Sequence, residues 1–247
     1  MRLSLGGQRR GKADLHVHSL YSDGTATLQE LLDWVEHETD LDLLAITDHE
    51  RIDGALRARE LHARGDYHFE LAIGEEVTTR RGHVLALFVE ERIPALRPLA
   101  ETLERIHAAG GVAIAAHPMA PLGLSSAVLR GLHREAEPAR RLDGIELFNP
   151  SMAGRVARVA RHRLNTELLQ LPAVGFSDAH IVESVGTGWT WFPGTGVEDF
   201  RRALAGGQTE PGGVHWSTWH NVAVYRRQLV AKARHLAHTL RPSGEWR

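Results

Sequence analysis

The stretch ADLHVHSLYSDG, residues 13 to 24, decides how the rest of the chain is read. A short apolar start runs into His16, Val17 and His18, and Asp23 follows. A strand sends alternate side chains to one face. His16 and His18 therefore point the same way and can grip one ion. A bare H-x-H pattern often arises by accident, so the other strand ends must supply the weight.

The chain has 247 residues, 43% of them hydrophobic, with a formal net charge of -2. That length buries a sizeable core, and that balance exerts no global pull toward nucleic acid or membrane. No cysteine is present, which excludes disulfides, thiolate zinc sites and cysteine nucleophiles. The start, MRLSLGGQRRGK, has no apolar signal core, and no run reaches transmembrane length. A cytoplasmic protein with no membrane partner is the expectation.

Short apolar runs alternate with segments of helical period, as in LDLLAIT before DGALRARELHAR and GVAIAAH after LRPLAETLERIHAAG. Thr27 and Glu30 make a capping box, and Asp53 is an expected N-cap. The alternation predicts a parallel α/β fold, most simply one barrel-like domain. Residues 1–12 read as a tail, 13–212 as the barrel, and 213–247 as a helical extension packed outside it. The stretch VHWSTWH, with His215, Trp216, Trp219 and His220, reads as packing, ahead of an aromatic substrate rim or a dimer contact.

The strand ends collect one kind of chemistry. The first carries His16 and His18, the second Asp48 and His49, the third Glu75 and Glu76. Later ends carry His117, Glu146 with Asn149, and Asp178 with His180. In a (β/α) barrel these ends converge on the face that holds the active site. His83 begins a run instead of ending one, but a tight turn at Arg80, Arg81 and Gly82 would make a hairpin and return it to the level of Glu76. Nitrogen and oxygen donors suit Zn, Mn or Fe. So many donors exceed one ion, and two or three divalent ions sharing a carboxylate fit better. Neither lysine, Lys12 or Lys232, stands where a carbamylated bridge could form.

The ordered pieces DLHVHSLYSDG, AITDHE, GEEV, GHVLAL, AAHP and GFSDAH resemble the polymerase-and-histidinol-phosphatase (PHP) family over residues 14 to 180. The resemblance implies a distorted (β/α)7 barrel with a trinuclear metal centre that hydrolyses phosphoesters. Carried over by position, the first ion takes His16, His18, Glu76 and Asp178. The second shares Glu76 and adds His83 and His117. The third takes Asp23, His49 and His180. Glu76 is favoured over Glu75 as the bridge. Asp48 is expected to orient a ligand histidine, and Glu146 to stand behind the ligands or meet the substrate.

The expected reaction is in-line attack on phosphorus by a metal-activated hydroxide, the ions neutralising the developing charge. Arg155 and Arg158 are candidate phosphate contacts against a reading as a solvated helix face. Nucleotide-cleaving relatives often carry an insertion between the positions of His83 and His117. Its absence argues against nucleotide monophosphatase specificity and predicts a more open site that accepts larger or varied esters. The expected partner is a small phosphorylated substrate or a short nucleic acid. Rival readings are an exonuclease acting on nucleic-acid ends, which needs a basic groove, and a non-catalytic regulatory domain, which needs missing ligands. An amidohydrolase is disfavoured by the absent lysine.

Overall fold

The computed structural model describes residues 9–227. Lys232 and the expected remainder of the tail and extension lie outside the described residues. The strands are β1 (Arg10–Asp14), β2 (Leu43–Ile46), β3 (Glu70–Thr79), β4 (Gly82–Leu87), β5 (Val112–Ala115), β6 (Gly144–Phe148), β7 (Ala173–Gly175), β8 (Gly188–Pro193) and β9 (Glu210–Gly213). The helices are α1 (Leu28–Glu38), α2 (Asp53–His62), α3 (Leu99–Ala108), α4 (Ser126–Leu132), α5 (Met152–Leu164) and α6 (Val197–Ala205), and residues 218–227 are helical. No helix among the described residues is long and apolar enough to cross a membrane.

The sheet runs β7-β6-β5-β4-β3-β2-β1-β8-β9. β1 to β3 pair in parallel, as do β5 to β7, with β4 antiparallel to both neighbours. The sheet curls into a nearly closed, distorted (β/α) barrel. At the site end, Val17 bridges Ala179, with His18 N–H donating to Ala179 O at 2.8 Å. At the other end β8 and β9 fill the gap, and the Thr190 hydroxyl joins β8 to β7. It accepts Gly175 N–H at 3.0 Å and donates to Gly175 O at 2.9 Å.

Two apolar layers hold this wall. Ala13, Leu15, Leu43, Ala45, Leu85, Ile114 and Phe176 fill the inside, closed below by Phe200 and Leu204 of α6. Burying a side chain such as Phe200 stabilises by about 2–3 kcal/mol. Leu44, Ile46, Val84, Ala113 and Ile145 face outward against α1, α2 and α3. Thr27 and Glu30 form the expected capping box, but Asp53 is the first helical residue of α2 and Ile52 precedes it as the N-cap.

β1 begins at Arg10, three residues before the expected start, because its N-terminal half pairs with β8. β9 was not anticipated from EPGG, a run poor in strand formers. It forms because glycine leaves room for aromatic rings: a Cβ on Gly212 would sit 2.4 Å from the Trp189 indole nitrogen.

Candidate metal centre

The histidine pair is not placed by simple alternation. Ala13 and Leu15 pack inside the barrel and Val17 packs outside. The ladder stops at Asp14 and resumes only at the Val17 bridge. That break shifts the parity by one and turns His16 and His18 inward. On β3 alternation is regular, and it separates the two glutamates. Ala72 faces inside and Ile73 and Val77 outside, so Glu76 enters the barrel and Glu75 leaves it. Glu75 accepts the Ile93 N–H beneath the loop after β4. The hairpin sets His83 opposite Thr78, diagonal to Glu76, and His83 Nδ1 lies 2.9 Å from Glu76 Oε1.

All nine expected ligands converge. Glu76 is the hub: its Oε1 lies 2.9 Å from His117 Nε2, and its Oε2 lies 3.2 Å from His16 Nε2 and 3.3 Å from His18 Nε2 and His49 Nδ1. Asp178 Oδ1 lies 3.4 Å from both His16 Nε2 and His18 Nε2. Asp23 Oδ1 lies 3.1 Å from His180 Nε2 and 3.7 Å from His49 Nε2.

Among the described residues these side chains form three overlapping groups whose donor atoms lie within 4.8 Å of one another. One is His16, His18, Glu76 and Asp178, the set expected for the first ion. The second is His49, Glu76 and His83, so His49 stands where His117 was expected. His117 instead meets Glu76 from a left-handed backbone (φ 26°) just past β5. The third is His18, Asp23, His49 and His180, which adds His18 to the expected set. His49 is shared because its two nitrogens face different carboxylates, Nδ1 toward Glu76 and Nε2 toward Asp23, and its ring stacks on that of His18 with centroids 4.6 Å apart.

The residues present fit cations. His16 Nε2, both His18 nitrogens, Glu76 Oε2 and His117 Nδ1 are buried without a hydrogen-bond partner, which is costly unless another species satisfies them. The 3.2–3.4 Å separations around His16, His18, Glu76 and Asp178 match the roughly 3.4 Å edge of a tetrahedron with ligand bonds of about 2.1 Å.

Second-line residues fix the ring tautomers. Glu146 Oε1 lies 3.2 Å from His16 Nδ1, which directs His16 Nε2 inward, and Glu146 Oε2 accepts His117 N–H at 2.5 Å. Asp178 O accepts from His180 Nδ1 at 2.9 Å, leaving Nε2 for the Asp23 side. Asp178 too is left-handed (φ 54°), and such strain gathers at functional sites. Asp48, expected to orient a histidine, does not. It accepts Ser19 N–H at 2.8 Å, Ser19 Oγ–H at 2.6 Å and Ser22 Oγ–H at 2.6 Å, bracing the loop that delivers Asp23.

The charges are strongly linked. Burial opposes a charge on His18, but Asp178, Glu76 and Asp23 outweigh it and push its pKa up to about 10. Burial and the neighbouring His18 and His83 hold His49 down to about 4, against the pull of Glu76 and Asp23. Burial would raise Glu76, yet His16, His49 and His117 hold it well below the usual carboxylate range.

A cavity of about 250 Å³ opens over the ligands. Arg155 and Arg158 do not line it. Both are exposed on α5, and Arg158 Nη1 lies 3.5 Å from His215 Nε2. Two features escape the sequence reading. Val224 and Tyr225, which no motif marks, wall the cavity together with Trp216, whose stretch carries an aromatic substrate rim as its alternative reading. Trp216 is packed, as expected, while Trp219 is 83% exposed. Arg161 is buried and donates to Pro118 O, Leu147 O and Gly154 O at 3.0–3.3 Å, tying α5 to the turn after His117. Its helical spacing looks like that of any surface arginine.

A family model described as PHP-associated matches residues 160–209. An uncharacterized protein of Methanocaldococcus jannaschii is 32% identical over 173 residues, covering 64% of this chain and 94% of that protein. A phosphoribosyl 1,2-cyclic phosphate 1,2-diphosphodiesterase of Eggerthella lenta is 40% identical over 102 residues, 38% of each chain. A solved two-domain protein of Bacteroides vulgatus, containing a predicted PHP-like metal-dependent phosphoesterase, superposes with a TM-score of 0.65 at 17% identity, over 94% of this chain and 72% of that one. With these likenesses on a barrel whose strand ends gather the ordered ligand motifs, the chain belongs to the polymerase-and-histidinol-phosphatase (PHP) family.

Proposed function

We propose that this protein hydrolyses phosphoesters with two or three divalent cations held by His16, His18, Asp23, His49, Glu76, His83, His117, Asp178 and His180. The carrying observation is the donor cluster around Glu76, in which His16 Nε2, both His18 nitrogens, Glu76 Oε2 and His117 Nδ1 are buried without a hydrogen-bond partner. Bound there, Mn, Zn or Fe ions supply charge for the phosphoryl oxygens and lower the pKa of a water.

The chain's own residues set up the rest. Glu76 joins two of the groups from one central position, and His18 and His49 link the third to them. Glu146 and the Asp178 carbonyl hold His16 and His180 in the tautomers that aim Nε2 inward. Asp48 holds the Ser19–Ser22 loop so that Asp23 faces His180. The wall of Trp216, Val224 and Tyr225 narrows access of bulk water from one side. The exonuclease reading needs a basic groove, and no lysine or arginine among the described residues lines the cavity.

The test is a phosphoester panel run on stripped protein reloaded with Mn, Zn or Fe, from 4-nitrophenyl phosphate through nucleotides to short oligonucleotides. His16→Ala is the control. Metal-dependent hydrolysis by wild type, lost in the variant, is expected. Equal hydrolysis by both, or none with any metal, overturns the proposal.

A further inference from the structure

The cavity has two unlike sides. One is the ligand set. The other is apolar, formed by Leu122, Ala153, Trp216, Val224 and Tyr225. At its mouth Leu122 is 69% exposed and Tyr225 47% exposed. Apolar surface at a cavity mouth gains when a ligand covers it.

This side is held in place. Trp216 packs on Ile181 and Val224, and its Nε1–H donates to Thr187 Oγ1 at 2.9 Å. Asn221 Oδ1 accepts Met152 N–H at 3.0 Å, joining helix 218–227 to the start of α5. Arg227 pairs with both oxygens of Glu183, beyond His180 in the chain. Leu122 sits in a turn with left-handed Met119 and Leu122 (both φ 66°), and its carbonyl accepts His83 N–H at 2.8 Å. The same turn therefore places a ligand histidine and an apolar side chain.

Charge and size restrict what fits. A phosphate beyond the reacting one would meet no lysine or arginine among the described lining residues, and an unpaired buried charge is strongly disfavoured. The volume of about 250 Å³ lies below the roughly 300–1,000 Å³ usual for small-molecule sites. Cations and a phosphoryl group take part of it, leaving room for one modest organic group.

We infer that the substrate is a small phosphomonoester whose alcohol part is apolar and uncharged, seated against Leu122, Trp216, Val224 and Tyr225. This rests on the phosphoester-hydrolase reading. In the reaction, water adds to phosphorus and the ester P–O bond breaks. The alcohol leaves with one proton and hydrogen phosphate keeps the other.

The experiment uses the full chain loaded with Mn²⁺. Benzyl phosphate is compared with glycerol 3-phosphate, whose leaving alcohol has similar acidity, and with a 5′-phosphorylated dithymidine. Benzyl phosphate should show a kcat/KM at least about tenfold above either, from the ring surface it buries. Leu122→Ala should lower kcat/KM for benzyl phosphate about fivefold more than for glycerol 3-phosphate. Equal or better turnover of glycerol 3-phosphate or the dinucleotide overturns the inference while leaving phosphoester hydrolysis standing. If no ester is cleaved, the hydrolase reading fails, and calorimetry decides this inference alone. Benzylphosphonate must then bind at least about tenfold tighter than 2,3-dihydroxypropylphosphonate, and equal affinity or no binding of either overturns it.

Discussion

Glu75 and Glu76 are neighbours in the chain and do opposite work across one wall of the barrel. Glu76 meets His16, His18, His49, His83 and His117 inside. Glu75 is buried outside, accepting the Ile93 N–H. Glu76→Gln should therefore lose most of the bound metal, measured by plasma mass spectrometry on purified protein. Glu75→Gln should keep wild-type metal content, since its amide oxygen can still accept from Ile93. Loss in both variants would contradict the inside–outside assignment.

The metal-free site stores protons that cations must displace. His18 has its pKa pushed up to about 10, with burial overcome by Asp178 and Glu76. Below that value a cation competes with the proton on His18, so affinity should rise with pH between 6 and 9. Titration calorimetry in buffers of different ionisation enthalpy should detect net proton release on Mn²⁺ binding at pH 7. Affinity independent of pH would refute the coupling.

Asp48 carries the loop before Asp23. Asp48→Ala leaves the buried Ser19 N–H without its acceptor and frees both serine hydroxyls. Urea denaturation should show a loss of about 3 kcal/mol. Metal stoichiometry should fall by the share bound through Asp23, while Asp48→Asn should recover part of both.

Arg161 should matter more than its place on α5 suggests. Arg161→Leu removes the donors to Pro118 O, Leu147 O and Gly154 O. A destabilisation of about 3 kcal/mol is expected, read as a lower urea midpoint. Because Pro118 follows His117, weaker metal retention should accompany it. Arg158→Leu, on the exposed face, should change neither.

His107, remote from the centre, gives a test with a defined sign. Its ring lies 2.8 Å from Asp143 Oδ2 and 2.9 Å from Ala139 O, one nitrogen to each. Both nitrogens donate only in the charged form, and the Asp143 hydrogen bond, opposed by partial burial, raises the pKa. A raised folded value means the contribution is complete below the ordinary pKa near 6.5 and fades as pH rises through the folded one. His107→Gln should cost on the order of 1 kcal/mol at pH 5.5, since partial exposure screens the pair. At pH 9 the cost should be smaller, and a larger cost there would reverse the assignment.

The alternation of apolar runs with helical segments, and the imidazoles and carboxylates at their ends, were legible because both depend on local spacing. Strand period and helix period are written residue by residue, and a parallel barrel brings its strand ends together whatever the loops do. Even the hairpin that returns His83 was visible, since a Gly82 turn between two apolar runs leaves little choice.

What the line of residues could not hold is which side each donor takes once the ladder breaks, and what distant segments place beside it. The inward turn of His16 and His18 comes from an interruption between Asp14 and Val17, where pairing resumes against Ala179, remote in sequence. The exchange of His49 for His117, the service of Asp48 to serines and the cavity wall at Val224 and Tyr225 are of the same kind. Each depends on contacts between parts of the chain remote in sequence, and only the closed barrel creates them.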